Sequence, residues 1–430
     1  MDNKRELNFI DIFAGAGGLS EGFLRAGMHA VAHIEMNAHA CKTLQTRSCY
    51  YYLKDNDKLD IYDSYLRGAI SREDFYGLIP QCVLDTVIEQ TMTAATMPKL
   101  YKKIDELMDA QSVKKIDLLV GGPPCQAYSL VGRARSADGM ENDPRNYLYK
   151  LYCNVLNRYK PEMFVFENVP GLLSANEGQY LKDMLKQFSQ NGYVCELKVL
   201  NARNFGVLQN RRRVILIGWN KASETKHFYP DLPESYSDNY IVDDVLEDLP
   251  ELQPGDEKRK YSKGSNAYLQ RTEIRTERDL LTWHVARNVR KIDREIYRLQ
   301  IDAWNNDCKR LKYTELPKKL QTHNNKSSFL DRFKVVAGDL PASQTMVAHI
   351  SKDGHYFIHP SYKQGRSLSV REAARLQSFP DNFFFEGPRT SAFLQIGNAV
   401  PPLMAYKIAK EIKKQLQIIG ENKHEAPGFL

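Results

Sequence analysis

The sequence is short of the features that mark secreted, membrane-spanning and zinc-bound proteins. Its seven cysteines (Cys41, Cys49, Cys82, Cys125, Cys153, Cys195 and Cys308) are odd in number and scattered, with no C-x-x-C pair. That pattern indicates neither a disulfide framework nor a zinc site, and no metal is expected. No run of about 18 apolar residues is present to span a bilayer. The amino terminus, MDNKRELNFIDIF, passes into a strand-like segment without an apolar signal region, so a cytosolic location is expected. The G-x-G-x-x-G spacing of dinucleotide-binding turns is missing too, which disfavours a pyrophosphate-bearing cofactor. There is no internal repeat and no low-complexity tract.

What is present can build a large core. A chain of 430 residues with 42% hydrophobic composition predicts one large domain plus a smaller one. The net charge of +7 is unevenly spread: residues Glu257 to Lys334 carry 20 Lys and Arg against 10 Asp and Glu, an excess of +10. A segment of this kind suits a polyanion, since cations that contact phosphates release condensed counterions. A solvated surface is the plainer alternative.

The first half alternates strands with helices, the pattern of an α/β doubly wound sheet. Leu7 to Phe13 is a β-rich apolar run followed by a glycine turn and a helix from about Leu19 to Ala26. Further strands are expected to end at Glu35, Gly122, Asn168 and Trp219. Ligands of open α/β sheets sit at such carboxyl ends. The stretch from about Asp60 to Gln111 reads as a helical insertion, with Ser71 as an N-cap and Leu100, Ile104, Leu107 and Met108 at amphipathic spacing. From about Asn220 to Tyr362 the alternation fades and turns such as QPGD appear, which predicts a second domain. Val370 to Phe379 is helical, the last helix begins after Pro401-Pro402 and runs to about Ile418, and the tail from Gly420 is expected to fray.

Five short motifs carry chemistry. FAGAGG (Phe13 to Gly18) joins a strand to a helix, with Glu35 ending the next strand. Glycines let the backbone approach a ligand, and an acid there can accept from both ribose hydroxyls. A nucleoside without phosphates, with Phe13 against its base, fits this turn. GGPPCQAYS (Gly121 to Ser129) holds Cys125 at a strand end. A lone cysteine is more often a packed small hydrophobe, yet no packing requirement calls for the rigid Gly-Gly-Pro-Pro frame, which presents a thiol as a nucleophile. ENVPG places Glu167 beside an apolar run, where desolvation raises a carboxyl pKa and lets it share a proton; capping the next helix is the alternative. In QNRRRV, strand geometry puts Arg211 and Arg213 on one side and Arg212 on the other. QIGNAVPP sets Asn398 ahead of a helix whose start is fixed by the prolines.

In this order, FAGAGG, PPCQ, ENV, QxRxR and GNAVPP resemble the motif series of the cytosine-C5 DNA methyltransferases over roughly residues 8 to 220 and 364 to 410. RSLSVREAARLQSFPDNF (Arg366 to Phe383) is similar to the family's penultimate motif. The resemblance implies a Rossmann-like, S-adenosylmethionine-dependent methyltransferase fold with a mostly parallel sheet and a smaller DNA-recognition domain. It assigns 1–220 to catalysis and cofactor binding, 221–362 to target recognition and 363–430 to a return into the catalytic domain. By the same resemblance Cys125 attacks C6 of a flipped-out cytosine, Glu167 holds N3 and the amino group, and Arg213 with Arg211 contacts the O2 side. Phe13, Ala14, Gly15, Gly17, Gly18, Leu19, Glu35, Pro124, Asn398, Ala399 and Val400 form or border the cofactor pocket. An acid near the adenine amino group is assigned to Asp60, with Asp105 as its rival. Tyr128 stands where the family usually has Phe.

The resemblance further implies double-stranded DNA as partner in the bacterial cytosol and a companion restriction endonuclease; a monomer is expected because one base needs one active site. A transfer-RNA methyltransferase of the same family is the first alternative, disfavoured by the roughly 140 residues given to recognition. A silent DNA-binding subunit is disfavoured because Cys125, Glu167 and Arg213 are all present. A nicotinamide oxidoreductase is disfavoured by the glycine spacing.

Overall fold

The computed structural model describes residues 5–124, 148–223, 228–232, 239–326 and 330–425. Cys125 and the residues after it to 147, Tyr128 included, lie outside the described residues. Seven strands form one sheet: β1 (Asn8–Ile12), β2 (His29–Glu35), β3 (Val87–Glu89), β4 (Leu118–Gly121), β5 (Met163–Asn168), β6 (Tyr193–Asn201) and β7 (Arg212–Asn220). Their order is β3-β2-β1-β4-β5-β7-β6. The first five pair in parallel, whereas β7 runs antiparallel to both β5 and β6.

Alternate residues of the central strands feed two separate cores, as a sheet covered on both faces requires. Ile10, Ile12, Leu119, Phe164 and Phe166 pack on one face against the helices Met97–Ala110, Leu148–Tyr159 and Gln179–Gln190. Phe9, Leu118, Val120, Met163 and Val165 pack on the other, against the helices Gly18–Arg25 and Pro402–Glu425. These last two helices touch backbone to backbone at Gly22, where a Cβ would collide with Ala405. Each large apolar side chain buried this way contributes about 1.5–3 kcal/mol.

The expected strands at Leu7 to Phe13 and those ending near Glu35, Gly122, Asn168 and Trp219 are all found. Three expectations need correction. The segment 60–111 is not wholly an insertion, because β3 and the helix Met97–Ala110 belong to the sheet and its covering layer. Only the helices Leu59–Leu66, Arg72–Gly77 and Gln81–Asp85 are added, over an aromatic cluster in which Tyr65 stacks on Phe75 at 4.6 Å. Ser71 does cap the second of them, in a reciprocal capping box with Asp74. The strand β6 was not foreseen, and the last helix continues through Gly420 to Glu425.

Beyond β7 regular structure is sparse. The helix Lys291–Asp307 turns Ile296, Tyr297 and Ile301 into a small core with Tyr313, Phe333 and Ile358. A second cluster mixes residues from before, within and after this region: Leu208, Val242, Met346, Leu368 and Phe393. The helix Val370–Leu376 is tied in by fully buried ion pairs, Arg366 to Glu372 at 2.7 Å and Arg375 to Asp381 at 2.6 Å. Among the described residues no helix is long and apolar enough to cross a membrane.

Candidate active site

The carboxyl ends of β1, β2, β3, β4 and β5 lie along one edge of the sheet. Because β7 runs the other way, its first residues join that edge: Asn168 lies opposite Val214, and Glu167 opposite Ile215. Arg213, one residue earlier, therefore meets Glu167, with its Nε 2.7 Å from the carboxylate Oε1. Arg212 points outward and is exposed, as strand alternation requires.

Glu167 is enclosed. Burial pushes its pKa above the ordinary carboxylate value, opposed by the nearby Arg213 and Arg211 guanidiniums. The room for its carboxylate comes from Gly122, just past β4, where a Cβ would stand 2.6 Å from Glu167 Oε2. Asn168, buried behind it, donates from Nδ2 to the Pro123 carbonyl at 3.2 Å and accepts the Val169 N–H at 2.9 Å. Pro123, two residues before Cys125, is thus hydrogen-bonded to the end of β5. Gly122→Ala would displace only the carboxylate tip, so we expect little loss of stability but a fall in kcat of about 10²-fold, the cost of misplacing a reacting group by about an ångström. Steady-state kinetics beside a thermal melt checks this.

Arg211 has a different occupation from the one expected. It is fully buried, and its guanidinium donates to the carbonyls of Met346 and, at 2.9 Å, Gly397. Its terminal nitrogens serve the scaffold, and only its charge is felt at Glu167. Two residues earlier, Gln209 is equally buried. It accepts the Met346 N–H at 2.8 Å and donates to the Leu376 carbonyl at 2.9 Å and to Gln377 Oε1 at 2.6 Å. Gln377 in turn donates to the Ala399 carbonyl at 2.6 Å. Neither glutamine was among the expected site residues; the Gln that opens QxRxR and the Gln of ARLQSF were the available signals.

On the other side of β4 lies the glycine turn. Phe13, Gly15 and Gly17 all take left-handed backbone, with φ of 57°, 57° and 82°. The turn doubles back so that Ala14 N–H reaches the Ile34 carbonyl at 3.1 Å and Gly15 N–H reaches Glu35 Oε2 at 2.8 Å. Glu35 Oε1 accepts from the Met36 and Asn37 amides at 2.9 and 2.8 Å. Phe13 is half-buried against the core. Gly18, with Leu19 at the start of the helix, is pressed against Ala399 and the Val400 carbonyl, and a Cβ there would collide with both. FAGAGG and GNAVPP, some 380 residues apart in the chain, are therefore neighbours. Asn398 is exposed at the end of the helix Arg389–Asn398.

Asp60 does not join them. It sits in the first turn of the helix Leu59–Leu66, with a side chain 97% exposed, paired to Arg278 at 2.7 Å. LDIY forms the start of a helix, away from the strand ends. The rival Asp105 pairs with Arg158 at 2.6 Å and with the Tyr159 hydroxyl at 3.1 Å. The acid that stands at the correct edge is Glu89, the last residue of β3, in register with Glu35. The set fits a nucleoside sulfonium: a carboxylate for ribose hydroxyls, a half-buried aromatic ring, and a glycine turn whose Gly15 has open space where a Cβ would be. Among the described residues no group of His, Cys, Asp and Glu could hold a metal ion.

The model of the family described as C-5 cytosine-specific DNA methylase matches residues 7–77 and 88–414. The Type II methyltransferase M.Bpa9945I of Bacillus paralicheniformis is 40% identical over 94% of this chain and 98% of its own length. M.XorII of Xanthomonas oryzae pv. oryzae is 32% identical, over 95% of this chain and 85% of its own. Among solved structures, a protein described as a DNA modification methyltransferase encoded within an E. coli prophage superposes with a TM-score of 0.63. The two are 21% identical, with 96% and 99% of the chains covered.

Proposed function

Because the chain belongs to the C-5 cytosine-specific DNA methylases, and is by that membership a DNA cytosine-5 methyltransferase, we propose that it works through a covalent adduct between Cys125 and C6 of a cytosine turned out of duplex DNA. The observation that carries this reading is the enclosed Glu167–Arg213 pair, beside the Gly122-Pro123-Pro124 segment that leads into Cys125. C5 of cytosine is a poor nucleophile. Addition of the Cys125 thiolate at C6 gives it enamine character, provided the charge building at N3 is met. Glu167, its proton affinity raised by burial, supplies a proton at N3, and Arg213 lies against the O2 edge while holding the carboxyl in place. When C5 has gained its methyl group, a water molecule takes the C5 proton, the freed electron pair forms C5=C6 and expels the Cys125 thiolate, and N3 returns its proton to Glu167. Turning the base out of the stack costs a few kcal/mol.

Phe13, Ala14, Gly15, Gly17, Gly18, Leu19, Glu35, Pro124, Asn398, Ala399 and Val400 are the residues we assign to S-adenosylmethionine, with Glu89 replacing Asp60. That cofactor supplies the methyl group as an electrophilic sulfonium substituent. Glu89→Gln is expected to weaken cofactor binding about tenfold, the worth of one charge-assisted hydrogen bond. Asp60→Asn is expected to leave it unchanged. Calorimetric titration of both variants decides between the two acids.

We assign residues 221–362 to reading the target sequence, and the enzyme to protection of DNA in a restriction-modification system, as the names of its relatives suggest. The decisive experiment is trapping on a duplex containing 5-fluorocytosine, whose fluorine blocks the elimination step. A stable protein–DNA linkage at Cys125 is the expected result. Methylation of normal duplexes without any such linkage would overturn the covalent scheme, and methyl transfer to tRNA in place of duplex DNA would overturn the choice of substrate.

A further inference from the structure

The helix Lys291–Asp307 has two unlike faces. Ile296, Tyr297, Gln300 and Ile301 are buried, while Lys291, Arg294, Arg298 and Asp302 recur along the other side at helical spacing. That second face floors an open groove of about 480 Å³ walled by Tyr362. Two of its cations are held in place. The Arg298 guanidinium lies 5.4 Å from the centroid of the Tyr362 ring. Gly365, in left-handed backbone with φ +51°, lets the following loop lie on Arg294 and Arg298. Arg294 is partly committed, donating to Gln253 Oε1 and the Gln364 carbonyl. The acids do not cancel the rest. Glu295 is paired with Lys319 at 2.8 Å, and Asp302, one turn beyond Arg298, forms no ion pair among the described residues. Arg298 and Lys291 have no ion-pair partner among the described residues.

We propose that this groove takes a phosphodiester of the duplex substrate, at a point away from the target-base pocket. A guanidinium stacked on an aromatic ring keeps its in-plane N–H groups free and pre-aimed, which suits two-point contact with phosphate oxygens. Lys291, exposed two turns earlier on the same face, adds a mobile point charge. The groove lies inside the segment that carries the +10 excess, and the proposal rests on the DNA reading above.

The test measures duplex binding by fluorescence anisotropy across about 50–200 mM salt, where each neutralised phosphate adds roughly 0.9 to the steepness of log affinity against log salt. Arg298→Gln and Lys291→Gln are each expected to flatten that slope by about one contact, and the double variant by about two. Arg298→Lys keeps the charge and is expected to keep the slope. Unchanged cofactor affinity certifies that each variant is folded. A double variant with the wild-type slope overturns the proposal. Failure of the wild-type protein to methylate duplex DNA is a separate result, and it would remove the DNA reading itself.

Discussion

Cys125→Ala is expected to abolish methyl transfer, with a loss on the order of 10⁴-fold or more, the scale seen when a covalent nucleophile is removed. Cofactor affinity should survive, because most residues assigned to that pocket approach from β1, β2, β3 and the GNAVPP segment, and Pro124, beside Cys125, is left in place by the substitution. The two losses must separate: calorimetry with S-adenosylmethionine should give a near-normal Kd for a protein that turns nothing over. Serine at the same position tests nucleophilicity directly, since a hydroxyl of similar size is a far weaker nucleophile at neutral pH than a partly ionised thiol. Appreciable methylation by the alanine variant would dismiss the adduct, whatever the fate of the family assignment.

The second large effect is expected at Glu167. A carboxamide in its place can still donate a hydrogen bond to N3 but cannot give up a proton, so Glu167→Gln should lower kcat by about 10²–10⁴-fold, the usual worth of a positioned acid or base. Glutamine is preferable to alanine here. Removing the partner outright strands the buried Arg213 cation, which costs about 3–5 kcal/mol and confuses chemistry with unfolding. The pH profile separates the roles further. Burial raises the Glu167 pKa above its unfolded value, so the folded protein favours the protonated form. Activity that needs this proton is full below the raised pKa and falls as pH climbs through it, and the same ionisation withdraws stability over that interval. In Glu167→Gln the alkaline limb due to this group should disappear. A variant that keeps the wild-type alkaline limb would show that another group gives rise to it.

Most of the sheet could be read from the sequence because its central strands are continuous apolar runs ending in glycine or a polar residue, and burial on both faces demands that composition. What escaped did so for physical reasons. Strand β3 is three residues long, too short for any periodicity to register, and without it the acid at its end could not be found. The resemblance assigned Asp60 in its place, an acid that lies in the first turn of an added helix and not at a strand end. Strand β6 alternates polar and apolar residues at the sheet's edge, an ordinary half-buried pattern that its lysine and glutamate obscured. At the site, Glu167 and Arg213 were legible as a pair because each is anchored to a strand end. Arg211 was misread because parity along a strand says nothing about residues before the strand begins, where its donors turn to two carbonyls. The region after β7 builds its small cores from irregular backbone, so its composition announced a polyanion partner without disclosing an architecture.

The meeting of Gly18 with Ala399 and Val400 also bears on how the molecule is made. Translation completes the glycine turn almost at once but delivers Ala399 and Val400 nearly last, after all seven strands have been made. A message truncated before codon 399, or a polypeptide clipped there by a protease, yields a fragment that retains Cys125 and Glu167 yet lacks the residues that press on Gly18. On the cofactor assignment proposed above, such a fragment is expected to be inert.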